Sequence, residues 1–263
     1  MRAPQHLLAI APFLAAVALP SASAGDLAEV KAKGTLRVIA AADEAPETFS
    51  FDPGPNQGFE RELVEGFAKL QSLKIEPVKA KAYGERIAML NRDEGDLIVA
   101  IFDTPDRRKL VDFTVEVMPT HNVAVTLDSR PAVKTIEELK DLRVGAVKGA
   151  KPAEEAVEAG VPPRALRLYA TQEEMTQALR KGTLDAIILP VSELVVASRQ
   201  TQGLAAGCTV GPAGKVAWAV RKQDEALRAA LDEYLTNVRR SPSWSRLIVK
   251  YFGDEALRVL GKR

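Results

Sequence analysis

Residues 95–114 read GDLIVAIFDTPDRRKLVDFT. Within them Leu97 to Phe102 form a six-residue apolar run, rich in Ile and Val and bounded by polar residues. That pattern predicts a strand buried on both faces, as in a parallel sheet. Open α/β sheets bind ligands just beyond the carboxyl ends of such strands. Here that place is a short polar turn followed by Arg107, whose guanidinium can hold a carboxylate through two parallel hydrogen bonds. The stretch points to an α/β protein that grips a small anionic solute.

A unit of the same kind recurs along the chain. The pattern predicts a helix over 83–90, a glycine-containing turn, Asp96 and the strand 97–102. It predicts another helix over 172–180, the turn Lys181-Gly182-Thr183, Asp185 and a strand over 186–189. Asp96 and Asp185 read as structural turn residues. Alternating helices and strands indicate parallel sheets. Two copies about ninety residues apart suggest either two similar lobes or consecutive parts of one long sheet.

The rest of the chain fits between these units. A short helix over 26–33 ends at Gly34, and a strand follows over 36–41. Residues 43–57 are rich in Pro, Gly, Asp and Asn, which predicts a loop; Phe49 and Phe51 lie in it. A helix opens at Gly58 with Phe59, Leu63, Phe67 and Leu70 on one face, and a strand follows over 75–78. In the second half the expectations are a helix over 136–139, a strand over 143–147, a turn at 148–150 and a helix over 153–159. Pro152 starts that helix, and its first N–H groups attract anions. Gly211-Pro212-Ala213-Gly214 reads as a break. A strand over 216–220 and helices over 224–240 and 244–252 complete the chain, with Trp218 and Trp244 expected in the core.

Composition excludes several chemistries. Arg2, the apolar run Leu7 to Leu19 and Ala22-Ser23-Ala24 have the form of a cleaved secretory leader over residues 1–24. No lipid-attachment cysteine follows, so a free periplasmic or secreted protein is expected. Removing the leader from the 263 residues leaves 239, with 35 of the 36 basic residues against 35 acidic ones. A net charge near zero gives no electrostatic reason to expect nucleic acid or an anionic membrane as partner. Beyond the leader there is one histidine, His121, and one cysteine, Cys208. An internal disulfide and zinc sites built from His and Cys are therefore excluded, as are Ser-His-Asp and Cys-His catalysis unless His121 serves. Cys208 reads as a small filler and His121 as a residue at a lobe junction. No metal, no cofactor and a monomer are expected.

Several segments together resemble the bacterial extracellular solute-binding proteins of the polar amino-acid-binding family. They are KGTLRV at 33–38, GFERELVEGFAK at 58–69, the stretch 95–114, TIEELKDLRVGAVKG at 135–149, ALRKGTLDAIIL at 178–189 and KYFG at 250–253. The resemblance implies a type II periplasmic-binding fold. It has two α/β lobes, each a mostly parallel sheet flanked by helices, joined by two crossing strands and closing on a ligand. Lobe one would be 25–120 with 212–263, and lobe two 121–211. The Thr-Pro-Asp-Arg turn, with Thr104, gives Arg107 the role of carboxylate clamp. Lys148, Gly149 and Ala150 match a loop that offers backbone N–H groups, while Phe49 and Tyr83 are candidate pocket walls.

The departures from the family are specific. The turn after the strand looks one residue short and reads Phe102-Asp103. Pro190 stands where the family has the aspartate that grips a ligand's α-amino group, so Glu193 or Asp103 is the candidate replacement. The resemblance implies a receptor for a small carboxylate solute, working with an ABC permease. A non-transport sensor or accessory module is the alternative. Cyclohexadienyl dehydratases look similar, with a catalytic glutamate near Glu193. Lytic transglycosylases carry such a module beside a catalytic domain not found in these 263 residues.

Overall fold

The computed structural model describes residues 26–52, 54–200, 203–254 and 256. The leader expected over 1–24 lies outside them. Asp26 caps α1 (Leu27–Lys33) by accepting from the Leu27 N–H, and Gly34 ends it at φ 68°. The first half continues through β1 (Thr35–Ala41), α2 (Phe59–Leu70), β2 (Lys74–Ala80), α3 (Arg86–Asn91) and β3 (Leu97–Phe102), with a 3-10 turn at Tyr83–Glu85 before α3. Next come α4 (Pro105–Arg108), β4 (Asp112–Phe113), β5 (Met118–Leu127) and α5 (Ile136–Leu139). The second half contains β6 (Val144–Val147), α6 (Lys151–Glu158), β7 (Leu166–Tyr169), α7 (Gln172–Arg180), β8 (Ala186–Pro190) and α8 (Val191–Gln200). The chain ends in β9 (Leu204–Val220), α9 (Glu225–Arg239) and α10 (Pro242–Phe252).

The strands form one mixed sheet in the order β2-β1-β3-β9-β5-β8-β6-β7, with β4 paired to β9. From either edge the sheet reads alike. β1 lies between β2 and β3, parallel to both, and β6 lies between β7 and β8, parallel to both. The repeated units thus occupy equivalent places in one continuous sheet. Their aspartates also do the same work. Asp96 accepts from the backbone N–H, Nε and Nη2 of Arg37 at 2.9, 3.1 and 2.6 Å. Asp185 accepts from the same three donors of Arg143 at 3.0, 2.8 and 2.8 Å. Each aspartate N–H also donates to the carbonyl of its arginine at 2.8 Å. Each clip fastens the start of one parallel strand to its neighbour.

Two expectations change in the structure. The Gly-Pro-Ala-Gly segment is not a break but lies inside β9. Residues 211–213 fall in a register shift against β5, between the pairs Thr120↔Gly214 and Asn122↔Val210. A bulge absorbs them, with Gly211 at φ 78°. Leu70, expected on the buried face of α2, sits in the last turn and is 71% exposed, while Val64 and Ala68 are buried there.

The apolar clusters sort by half. Two draw on residues 27–118 and 216–256, joined by Val195 and Val196 of α8; two draw on 123–210, joined by Tyr83. Trp218 and Trp244 are buried in the first of these, and Phe59 packs edge-on against Trp244, Tyr251 and Phe252. Cys208 packs half-buried against the second half, and His121 sits half-buried on β5 beside the bulge.

Candidate ligand-binding cleft

The carboxyl ends of β1, β3, β6 and β8 face one cleft, where the two halves of the sheet meet. Arg107 reaches it from α4. Thr104 caps that helix by accepting from the Arg107 N–H at 3.3 Å, and Pro105 starts it. The Arg107 side chain is 13% exposed. One of its five donors goes to the Phe102 carbonyl at 3.1 Å, and Glu154 of α6 lies 3.6 Å from Nη2. Burial lowers its pKa from the ordinary value and Glu154 opposes that shift.

The same cleft holds an acidic pole. Glu44 follows β1, Glu60 stands in the first turn of α2 and Glu193 in the first turn of α8, and all three line the cleft. Tyr83 donates its hydroxyl to Glu44 at 3.1 Å, and Trp218 donates its indole N–H to Glu60. Burial raises Glu44 to about 7, against the pull of Arg86 and the Tyr83 hydrogen bond. Burial raises Glu60 to about 8, with Trp218 opposing. Burial, then Glu44 and Asp43, raise Glu193 to about 8.

Arg86 is 1% exposed beneath this pole, stacked 4.1 Å under the Tyr83 ring. It donates to the carbonyls of Tyr83, Val99 and Ala100 at 3.3, 3.0 and 3.4 Å. Ala100 has φ 49°, a left-handed conformation unusual for a residue with a Cβ, where β3 shifts register against β9. The kink falls where the Val99 and Ala100 carbonyls meet the guanidinium.

The cleft is shut tightly, enclosing about 50 Å³, whereas small-molecule sites usually span roughly 300–1,000 Å³. Besides the packing of Tyr83, Val195 and Val196 across the halves, polar and backbone contacts close it. The Gln172 N–H donates to Asp43 at 3.0 Å, Arg107 faces Glu154, and Gly149 meets Gly84. Gly149 has φ 75°, and a Cβ there would lie 3.1 Å from the Gly84 Cα. Gly149→Val is therefore expected to disfavour this closed arrangement, because the added side chain must push Gly84 away. An increased radius of gyration in solution scattering would register it, and an unchanged radius would refute it.

Of the residues named from sequence, Arg107, Phe102, Tyr83, Ala150 and Glu193 line the cleft together. The others are placed differently. Phe49 is fully buried in the core, edge-on to Phe51. Burial would raise Asp103, but Arg108 and Lys215 hold its pKa below the ordinary value. Both its oxygens are spent on them, at 2.6 Å for each Arg108 bond and 3.1 Å for Lys215. Lys148 is exposed, and its N–H extends the β6–β7 ladder by donating to the Tyr169 carbonyl at 2.9 Å. The Ala150 N–H turns back to Val147 at 3.2 Å. That loop contributes the Ala150 wall and the Gly149 contact rather than a row of donors. Thr104 acts as the helix cap. Pro190 lines the cleft as well.

Glu44, Glu60, Lys151 and Gln172 also line the cleft and were not anticipated. Lys151 is 13% exposed and lies among Glu154, Glu155 and Glu158 at the other wall. Its position directly after the Lys148-Gly149-Ala150 turn was the signal available for it.

Residues 36–254 match the bacterial extracellular solute-binding proteins, family 3. The L-cystine-binding protein TcyJ of Escherichia coli (strain K12) is 26% identical over 237 residues, covering 89% of this chain and 88% of that protein. The membrane-bound lytic murein transglycosylase F of Stutzerimonas stutzeri (strain A1501) is 26% identical over 235 residues, covering 87% of this chain and 48% of that protein. The chain thus spans about half the length of that relative. Among solved structures, the P235GK mutant of ArgBP from T. maritima superposes with a TM-score of 0.78 at 22% identity, covering 87% of this chain and 99% of the other. The ancestral amino acid-binding protein AncCDT-1, a precursor of cyclohexadienyl dehydratase, gives 0.77 at 23%, covering 86% and 99%. These structures share the two-sided α/β fold seen here. With a match that runs from β1 to just past α10, this chain belongs to family 3 of the bacterial extracellular solute-binding proteins.

Proposed function

We propose that this protein captures a small solute bearing a carboxylate by hinge closure and delivers it to an ABC permease in the periplasm, working as a monomer. The two lobes would be 25–120 with 212–263, and 121–211, turning on β5 and β9. The observation that carries the reading is Arg107, largely buried at the carboxyl end of a parallel strand and facing the opposite half. It would take the carboxylate, exchanging the loose contact with Glu154 for a bidentate one. Tyr83 and Phe102 would wall the solute. Glu44 and Glu193 stand where a cationic group on the same solute would be welcome, in place of the aspartate replaced by Pro190. An amino acid is the solute class that best suits both poles, and the L-cystine-binding relative supports it. Binding energy would then shift an open–closed equilibrium that a partner reads.

A second reading is a non-transport module that signals to or assists another protein. The transglycosylase relatives, of which this chain covers about half, favour it. Calorimetric titration of refolded, ligand-stripped protein with amino acids, dicarboxylates and aromatic acids separates the two. Micromolar binding of one class is expected for a receptor. Silence across the panel would overturn that reading in favour of the module.

A further inference from the structure

Three carboxylates crowd the acidic pole, and they come from both sides of the cleft. Glu44 and Glu60 belong to the first half, whereas Glu193 is carried on α8, which the chain reaches after crossing β5. Glu193 faces Glu44, Asp43, Arg86 and the Tyr83 hydroxyl. Glu44 faces Arg86, Tyr83 and Asp43, and Glu60 faces Trp218, Glu44 and Arg86. Among the described residues Arg86 is the cation whose charge bears on all three carboxylates, its guanidinium donates to three backbone carbonyls, and Arg107 and Lys151 line the same cleft. Glu44 and Glu60 each receive one neutral donor, while Glu193 makes no hydrogen bond among the described residues. Glu44 and Glu60 are buried and Glu193 is half-buried, and neighbouring carboxylates so withdrawn from water do not all stay ionised against one nearby positive charge.

We propose that this pole is a proton switch: Glu193 closes onto Glu44 only when the two carboxylates hold a proton between them. Closure of the ligand-free cleft therefore takes up protons, and opening releases them as Glu193 returns to water.

The direction of the pH dependence follows. In the closed form burial raises Glu44 to about 7 and Glu193 to about 8, against an ordinary value of 4.5, whereas Glu60 is buried against Trp218 of its own half whether the cleft is open or shut. Below about pH 4.5 both forms are protonated and their balance is flat. Between about 5 and 8 the open form alone has lost its protons, so each pH unit favours it by up to about tenfold per proton. Above about 8 the closed form has lost them too. Low pH holds the cleft shut and mildly alkaline pH opens it.

The proposal rests on the hinge-closure reading but not on the identity of the solute. Small-angle scattering of the ligand-stripped chain between pH 5 and 9, with circular dichroism at each point, tests it. The radius of gyration is expected to rise between pH 6 and 8, with an open fraction at pH 8.5 at least about tenfold that at pH 5.5. Glu193→Gln and Glu44→Gln should each keep the cleft shut to higher pH, while Glu173→Gln on the surface of α7 keeps the wild-type midpoint. A radius constant across the range, or the wild-type midpoint in both cleft variants, would overturn the switch. A flat radius in a protein that binds a carboxylate sinks the switch alone. A rising radius in a protein that binds none sinks the receptor reading alone.

Discussion

Arg107→Ala is expected to weaken the carboxylate found by titration at least about 100-fold, the consequence of leaving a desolvated anion without its partner. Two features make the effect large. The side chain is only 13% exposed, so little water can replace the lost donors. Its helix is capped by Thr104 and opened by Pro105, which holds the guanidinium in a fixed direction before any ligand arrives. Arg107→Lys retains the charge but not the planar fork, and a loss of roughly tenfold is expected. Titration calorimetry with both variants measures this. Wild-type affinity in the alanine variant would remove Arg107 from the site.

The two aspartate clips give the second large effect. They share one geometry but not one environment. The Asp96 side chain is 1% exposed and its carboxylate also lies 3.5 Å from Arg221, itself 3% exposed. Asp185 is 16% exposed and its partners Arg130 and Arg143 are 42% and 48% exposed. Asp96→Ala leaves buried positive charge and an orphaned Arg37 N–H, and is expected to cost about 3 kcal/mol. Asp185→Ala releases arginines that water can solvate, and about 1 kcal/mol is expected. Urea unfolding of both variants checks the difference, and equal costs would contradict it.

Much of the fold was legible because local patterns and tertiary contacts agree. The strand at 97–102 forms where its apolar run predicted, and the repeated helix–turn–aspartate–strand units occupy matching places. The Gly-Pro-Ala-Gly segment misled because a bulge can carry such residues through a strand when a long partner lies alongside. Only the pairing with β5 reveals that partner.

The candidate site was less legible. Arg107 could be found because its turn is a local motif. Glu193 was named because it follows Pro190 closely, but Glu44 in a loop and Glu60 on a helix ordinarily read as solvated. Their burial arises from tertiary packing, which periodicity does not encode. Asp103 illustrates the converse: its place in the turn suggested a ligand contact, yet Lys215 on β9 captures it from a distant part of the chain.

The place of β9 has a consequence for how the chain is made. It lies at the middle of the sheet, between β3 and β5, yet it is the last of the described strands to be synthesised. Until about residue 220 has been synthesised, β3 and β5 lack the neighbour that separates them. A nascent chain then carries two unpaired apolar edges, the kind that recruit other chains. The β1–β2–β3 and β6–β7–β8 units each pair internally without β9, but the core of the first half also waits for Trp218, α9 and α10. The half of the sheet that emerges first is therefore the half whose folding finishes last.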